Sequence, residues 1–158
     1  MKTTLFCSLT SIFAVILILA CSPGVHAQTG SVSDDEQAIR AVIQSAYVDG
    51  LQNWGDIEKI RAGFHPTFEL VSKTKDNEIQ KLPIEKWIEM VDARKAQNPA
   101  GPEFLTTADI IVIDITADAA MVKLDLIRNE KRIFTDYLLF YKFDEGWRIV
   151  GKIYHRLP

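Results

Sequence analysis

The sequence predicts an α+β domain, in which about three N-terminal helices pack on one face of a curved, mostly antiparallel sheet. Two observations lead to this fold class. Apolar residues recur at helical spacing in the first half of the chain, and four β-rich runs separated by short turns fill its last third. Because helices come first and strands follow, we expect two packed layers rather than alternating strand–helix units.

The length and charge of the chain agree with one globular domain. Its 158 residues carry 18 basic and 21 acidic side chains, for a formal net charge of −3. A chain of this length normally forms one domain, and its ordinary apolar and charged fractions exclude a disordered or collagen-like protein. No nucleic-acid partner is expected, because such binding calls for a basic surface.

Residues 1–27 have the three parts of a cleavable signal peptide. Lys2 precedes an apolar run that becomes continuous from residue 12 to residue 21, and small and polar residues then lead to Ala27. We therefore expect cleavage after Ala27, a mature domain of residues 28–158, and export to the periplasm or out of the cell.

Two alternatives for the leader stay open. Residues 17–21 (LILAC) resemble a bacterial lipoprotein box, in which Cys21 would be lipidated and would anchor the protein to a membrane. A permanent membrane-spanning anchor is the other, although Ser8, Thr10 and Ser11 interrupt the apolar run. Cys7 and Cys21 both lie in the leader, so the mature chain is expected to hold no disulfide.

The helices follow from caps and apolar periodicity. Ser33 and Glu36 form a capping box, after which one apolar stripe runs through Ile39, Val42, Ile43, Ala46, Tyr47, Gly50, Leu51 and Trp54. Gly55 is expected to stop this helix, and Asp56 to cap a second, short one that Gly63 ends.

The middle of the chain predicts a hairpin and a third helix. Residues 68–73 and 78–81 form the two strands of the hairpin, which turns at Asp76-Asn77. Pro83 is expected at the first helical position of the third helix, which ends before the breaker at residues 98–102. Short connections then predict an antiparallel meander of four strands over residues 108–116, 120–128, 132–143 and 147–156.

The strand over residues 132–143 is apolar on both faces, with Asp136 as the exception. Helices can cover one face, so we expect the other to be covered in a homodimer formed through the sheet. An unpaired buried carboxylate would cost several kcal/mol, so Asp136 should meet a cation, hydrogen-bond donors or water.

The turn at Asp144-Glu145-Gly146 predicts which residues lie opposite one another. A three-residue loop with glycine in a left-handed conformation pairs Phe143 with Trp147, Leu138 with Lys152, and Asp136 with Tyr154. Lys152 then lies diagonal to Asp136 on the same face, whereas a two-residue loop would exchange the faces.

Several short segments, in this order and spacing, resemble the putative lumazine-binding family of the nuclear transport factor 2-like (SnoaL-like) superfamily. They are Tyr47-Val-Asp49-Gly50, Gly55-Asp56, Phe64-His65-Pro66, Thr135-Asp136-Tyr137-Leu138 and Trp147-Arg-Ile-Val-Gly-Lys152-Ile-Tyr154. The resemblance implies a cone-shaped α+β fold around a pocket, and commonly a homodimer. It leaves function open, because the superfamily holds isomerases, dehydratases, epoxide hydrolases and cyclases beside binding proteins.

Four residues are candidates for ligand binding in such a pocket: His65, Asp136, Lys152 and Tyr154. Asp136 and His65 are also the candidates for catalysis, because a carboxylate and an imidazole together can move protons. For three of them there is a structural alternative: His65 can bond a loop, Asp136 can form an ion pair that fixes strand register, and Lys152 can extend to water.

Other notable residues are expected to be structural. Tyr47, Trp54 and Trp147 belong to the predicted core, and His155 to the surface. Asp49 and Gly50 are expected to serve helix packing.

Several kinds of chemistry are not expected. The mature chain has two histidines and no cysteine, so no metal site is predicted, and no nucleotide-binding or G-x-S-x-G motif implies a cofactor or a serine nucleophile. Three hypotheses remain: an exported protein that binds a small apolar or heterocyclic ligand, an acid–base enzyme that uses Asp136 and His65, and a structural dimer with a filled cone.

Overall fold

The computed structural model describes residues 32–158, so the expectations for the leader lie outside the described residues. The helical elements are α1 (Asp34–Val42), a π-helical segment (Ile43–Gln52), α2 (Ile57–Gly63) and α3 (Ile84–Gln97). The strands are β1 (Phe64–Lys73), β2 (Ile79–Pro83), β3 (Thr106–Thr116), β4 (Ala119–Arg128), β5 (Lys131–Phe143) and β6 (Gly146–Arg156).

The six strands form one sheet in the order β2-β1-β6-β5-β4-β3. Every neighbouring pair is antiparallel except β1 and β6, which run parallel. The predicted hairpin is the β1–β2 pair, and the predicted meander is β3 to β6. The fold class is therefore confirmed: helices lie against one face of a curved, mostly antiparallel sheet.

The first helix begins as predicted but continues differently. The Ser33 side chain accepts a hydrogen bond from the Glu36 backbone N–H at 3.1 Å, while the Glu36 carboxylate pairs with Arg40 rather than reaching back to Ser33. From Ile43 the helix is a π-helix, in which each N–H bonds five residues back. Apolar spacing does not distinguish the two, because residues 43, 47 and 51 face the core in either.

The end of this helix also differs from the prediction. The helix stops at Gln52, and the chain reverses at Trp54, whose φ of 56° lies in the left-handed region. Gly55 contributes through close packing, because a Cβ there would lie 2.5 Å from the Asp49 carbonyl oxygen. Asp56 caps α2 as predicted, by accepting from the Glu58 N–H at 2.9 Å.

The third helix begins one residue later than predicted. Pro83 is the last residue of β2 and the N-cap of α3 rather than its first helical residue, because its extended ψ of 151° still belongs to the strand.

The turn between β5 and β6 corrects the predicted register near the loop. The loop has two residues, and Phe143 pairs with Gly146 rather than with Trp147. Farther along, Phe140 pairs with Ile149 but Leu139 pairs with Gly151, so Val150 is an extra residue in β6. This β-bulge restores the predicted partners Leu138–Lys152 and Asp136–Tyr154.

The two faces of the sheet have different surroundings. Side chains from alternate positions of β4 and β5 join the helices in the core, among them Val122, Leu124, Leu138 and Phe140. On the outer face Leu139, Tyr141 and Ile153 are 49%, 50% and 54% exposed. Within residues 32–158, no helix is both long and apolar enough to cross a membrane.

Candidate functional site

A buried polar cluster of Tyr47, Asp136 and Lys152 lies between the π-helical segment and the sheet. The Tyr47 hydroxyl donates a hydrogen bond to Asp136 Oδ2, and Lys152 Nζ lies 3.0 Å from Asp136 Oδ1. Asp136 and Tyr47 are 0% exposed and Lys152 is 5% exposed. Asp136 therefore has both kinds of partner that the sequence predicts for it, a cation and a hydrogen-bond donor.

The bulge at Val150 directs Lys152 into the protein. Trp147 and Ile149 are buried on the inner face, so an uninterrupted strand would place residues 151 and 153 there next. The extra residue reverses this alternation, and Lys152 becomes buried while Ile153 points outward. The interior ion pair thus depends on one irregularity in β6.

Burial dominates the electrostatics of the cluster. It raises the pKa of the Asp136 carboxyl above its usual value, against the opposing effects of the Lys152 charge and the Tyr47 hydrogen bond. Burial lowers the pKa of the Lys152 amine, and the nearby carboxylate opposes that shift. Both shifts favour the uncharged forms of the pair, so a proton can pass from Lys152 to Asp136 at a lower free-energy cost than in water.

Aromatic rings enclose the Lys152 amine. Its Nζ lies 4.9 Å from the ring centroid of Tyr154, 5.2 Å from that of Tyr47 and 5.5 Å from that of Trp87. Each ring face attracts a cation, which partly compensates the lost hydration of the ammonium group. The rings also hold the amine in one place.

Lys152 opens onto a cavity of about 600 Å³ on the inner side of the sheet. The walls come from the end of the π-helical segment, α3, the loop before β3 and five strands, β1, β2, β4, β5 and β6. The lining residues are Leu51, Gln52, Trp54, Leu70, Leu82, Trp87, Met90, Arg94, Pro102, Glu103, Phe104, Arg128, Phe134, Lys152 and Tyr154. The size and the mainly apolar, aromatic lining are typical of small-molecule sites.

The charged groups of the lining include two arginines. Arg94 and Arg128 form no ion pair within residues 32–158, and Glu103 is the acidic residue of the lining. Arg128 is held in place by its Nε, which donates to the buried Thr106 hydroxyl at 2.9 Å. Arg128 thus lines the cavity with a fixed positive charge, which favours an anionic group on a ligand.

The structure brings together three of the four predicted ligand-binding residues. Asp136 and Lys152 form the ion pair, and the Tyr154 ring lies over the Lys152 amine. His65 is elsewhere: its Nδ1 lies 2.7 Å from the Thr67 hydroxyl, and its ring stacks on Phe143 at 4.8 Å.

His65 and Asp136 therefore belong to different parts of the sheet. Phe143, on which His65 stacks, is seven residues from Asp136 along β5, roughly 23 Å at the usual rise of a strand. His65 is also not among the residues that line the cavity. The reason is that Phe64 pairs with Ile149, near the start of β6, whereas Lys152 lies beyond the bulge. A ligand-binding role for His65 stays a prediction.

Tyr47 and Trp54 have surroundings that helical spacing did not reveal. Tyr47 is buried as predicted, but its hydroxyl belongs to the polar cluster, and Trp54 is half-buried with its ring in the cavity wall. A tyrosine rather than phenylalanine at a buried position was the available signal, since a buried hydroxyl needs a partner. Trp147 is in the core and His155 is exposed, as predicted.

The Asp49–Gly50 prediction is correct for the glycine. A Cβ at Gly50 would lie 2.6 Å from the Ile60 side chain, so glycine permits the close packing there. Asp49 itself is exposed and accepts from the Gln44 side chain at 2.7 Å.

Two further recesses are smaller than the inner cavity. Recesses of about 330 and 410 Å³ lie on the outer face of the sheet and share Met121, Leu139 and Val150. Within the described range, no group of three or more His, Cys, Asp or Glu side chains is arranged to hold a metal ion.

Comparisons with known proteins agree with this architecture. The model of the family described as "Putative lumazine-binding" matches residues 34–155. A protein from Cladobotryum sp. named aldolase FrzH is 31% identical over 121 residues, which cover 75% of this chain and 90% of that protein.

Solved structures of NTF2-like proteins share the fold. A protein of unknown function from Shewanella baltica is 26% identical with a TM-score of 0.60, and the match covers 77% of this chain and 93% of that one. Another, from Silicibacter pomeroyi, is 21% identical with a TM-score of 0.64 and coverage of 81% and 100%. The chain therefore belongs to the lumazine-binding family ("Putative lumazine-binding") and has an NTF2-like fold.

Proposed function

We propose that this protein binds a small aromatic or heterocyclic molecule in the inner cavity. The observation that carries the proposal is a space of about 600 Å³ whose walls are mainly apolar and aromatic and include one buried lysine and two arginines. Apolar walls supply most of the binding free energy, while a few fixed polar groups orient the ligand. The ligand-binding name of the family supports this class of function.

The charges of the lining residues indicate which class of ligand the cavity favours. The lining has two arginines, Arg94 and Arg128, but a single acidic residue, Glu103, and the charge of Lys152 is balanced by Asp136. The lining therefore carries a net positive charge. A planar ligand with a carboxylate or another acidic group therefore fits better than a cationic one.

An acid–base enzyme is the second candidate. The buried Tyr47–Asp136–Lys152 cluster favours it, because hydroxyl, carboxyl and amine are hydrogen-bonded or ion-paired in a site shielded from water. The relative named as an aldolase supports chemistry at a carbonyl group. The acid–base hypothesis now assigns proton transfer to Asp136 with Tyr47 and Lys152, whereas the sequence suggested Asp136 with His65.

The third hypothesis, a structural dimer with a filled cone, is disfavoured by the open cavity. A homodimer through the outer face of the sheet remains part of our proposal, supported by the exposed Leu139, Tyr141 and Ile153.

Export of the protein also remains part of our proposal and rests on the sequence of residues 1–27 alone. The intact mass of protein purified from the native host should equal that of a chain whose first residue is Gln28. A lipid on Cys21 or a retained Met1 would contradict cleavage after Ala27.

Calorimetric titration with 2-naphthoate, a planar aromatic carboxylate, tests the binding proposal. Met90 lines the cavity and is 42% exposed, so Met90→Trp should narrow the cavity without disturbing the core. We expect about a tenfold loss of affinity, which corresponds to about 1.4 kcal/mol. The matched control is Ile111→Trp, at a 47% exposed position of β3 that does not line the cavity. Equal affinities for both variants, or no binding by the wild type, would refute the proposal.

A further inference from the structure

We propose that Lys152 is a nucleophile that forms an imine with an aldehyde or ketone bound in the inner cavity. This inference rests on the proposed binding function and names the substrate class of the same site. It assigns to Lys152 a covalent role that goes beyond orienting a ligand.

The position of the amine is what a nucleophile of this kind requires. Lys152 lines the cavity, yet it is 5% exposed and is fixed by three aromatic rings and one carboxylate. A lysine that serves only solubility or long-range charge would instead extend into water. Lysine amines in apolar sites are established nucleophiles toward carbonyl groups, because desolvation favours the neutral amine that attacks.

Asp136 can accept the proton that the Lys152 ammonium group must lose before it attacks. Its Oδ1 faces Lys152 Nζ at 3.0 Å, while Oδ2 accepts the hydrogen bond from Tyr47. The ammonium group can thus transfer one proton to Oδ1 and become a neutral amine. The lowered pKa of Lys152 and the raised pKa of Asp136, both caused mainly by burial, favour this transfer.

The reaction balances without another reactant. The neutral amine adds to the carbonyl carbon, a C–N bond forms, and a proton passes from nitrogen to the carbonyl oxygen to give a carbinolamine. Asp136 then returns its proton to the hydroxyl group, the C–O bond breaks, and one water leaves. The product is a protonated imine beside the Asp136 carboxylate, so the net charge of the pair is the same before and after.

Reductive trapping on the full chain tests the proposal. The protein is incubated with 4-formylbenzoate, whose ring, carboxylate and aldehyde suit the cavity, and cyanoborohydride converts any imine to a stable amine. We expect one adduct in the intact mass, and peptide mapping should locate it at Lys152 at a rate at least roughly tenfold above that at other lysines, because burial favours the neutral amine.

A lysine on the outer face supplies the matched control. Lys123 also lies over a tyrosine ring, with its Nζ 5.8 Å from the Tyr137 centroid, but outside the cavity. Lys123→Met should keep the adduct, and Lys152→Met should lose it. If Lys152→Met does not fold, peptide mapping of the wild type still shows whether the adduct is on Lys152. Label spread over exposed lysines without enrichment at Lys152 would overturn the proposal.

The alcohol 4-(hydroxymethyl)benzoate separates this inference from the binding function. If calorimetry shows that the alcohol binds while the aldehyde leaves no adduct on Lys152, the cavity binds ligands and the imine proposal fails. If neither compound binds and no adduct forms, both proposals fail.

Discussion

Replacement of Lys152 by methionine should destabilise the protein strongly at neutral pH and weakly in acid. Methionine keeps most of the side-chain volume but leaves the Asp136 carboxylate buried without a cation. With Nζ and Oδ1 3.0 Å apart, the attraction that is lost amounts to about 5.5 kcal/mol at an effective dielectric constant of about 20. Breaking buried ion pairs typically costs about 3–5 kcal/mol, and we expect a loss of this size at pH 7.

The pH dependence of Lys152→Met follows from the Asp136 carboxyl. Burial raises its pKa in the folded protein, and loss of the Lys152 charge raises it further. Between its unfolded value of about 3.9 and the raised folded value, the native state binds more protons than the unfolded state, so stability falls as pH rises through this window. Because protonation of the carboxyl removes the uncompensated charge, the loss relative to wild type should shrink toward about 1 kcal/mol as pH falls toward the unfolded value.

Guanidinium unfolding followed by circular dichroism at pH 7 and pH 4 measures this difference. The control Lys123→Met removes an outer-face lysine and should cost about 0.5–1 kcal/mol at both pH values. The double variant Asp136→Asn/Lys152→Met should recover most of the loss, because asparagine still accepts from Tyr47 and carries no charge. An equal loss at both pH values, or a loss below about 1 kcal/mol at pH 7, would refute a desolvated ion pair.

Three other predictions concern packing, pH and assembly. Gly63→Ala places a Cβ 2.3 Å from that of Ala46 and should cost about 1–3 kcal/mol in guanidinium unfolding, whereas Gly151→Ala, with its nearest contact at 3.6 Å, should be near neutral; equal losses would contradict the packing account. Hydrogen bonds from Lys142 and Trp147 lower the pKa of Asp35, so Asp35→Asn should lower the unfolding free energy at pH 7 by an amount that shrinks as pH falls through about 4; a pH-independent loss would argue against it. Light scattering should show a dimer that buries at least about 1,000 Å² and that Leu139→Lys converts to a folded monomer, and a monomeric wild type at micromolar concentration would reject the sheet-mediated dimer.

Most of the fold could be predicted from the sequence, because the patterns that indicate helices, strands and turns are local. The Ser33 cap, the alternating strands and the breaker at residues 98–102 each involve neighbours along the chain. The π-helical segment was not predictable in this way, since apolar periodicity records which residues are buried and not which carbonyl each N–H reaches.

Lys152 and Tyr154 were predicted correctly as neighbours of Asp136, but through two errors that compensate each other. The loop has two residues rather than three, which alone would move Lys152 to the outer face, and the bulge at Val150 moves it back. The Tyr47 partner was missed because it lies 89 residues away and depends on how the helix docks on the sheet. Contacts of this kind follow from tertiary packing, which single-residue periodicity does not encode.

Ligand binding in the inner cavity can be tested directly with the three tryptophans of the chain. Trp54 and Trp87 line the cavity, whereas the Trp147 indole N–H donates to Asp35 at 2.9 Å outside it. Their indole N–H resonances are measured in ¹⁵N–¹H spectra during titration with 2-naphthoate and assigned with Trp→Phe variants. If the ligand binds in the inner cavity, the Trp54 and Trp87 signals shift with one common affinity while the Trp147 signal stays. Shifts confined to backbone amides of outer-face residues such as Met121 and Leu139, with all three indole signals unchanged, would contradict it.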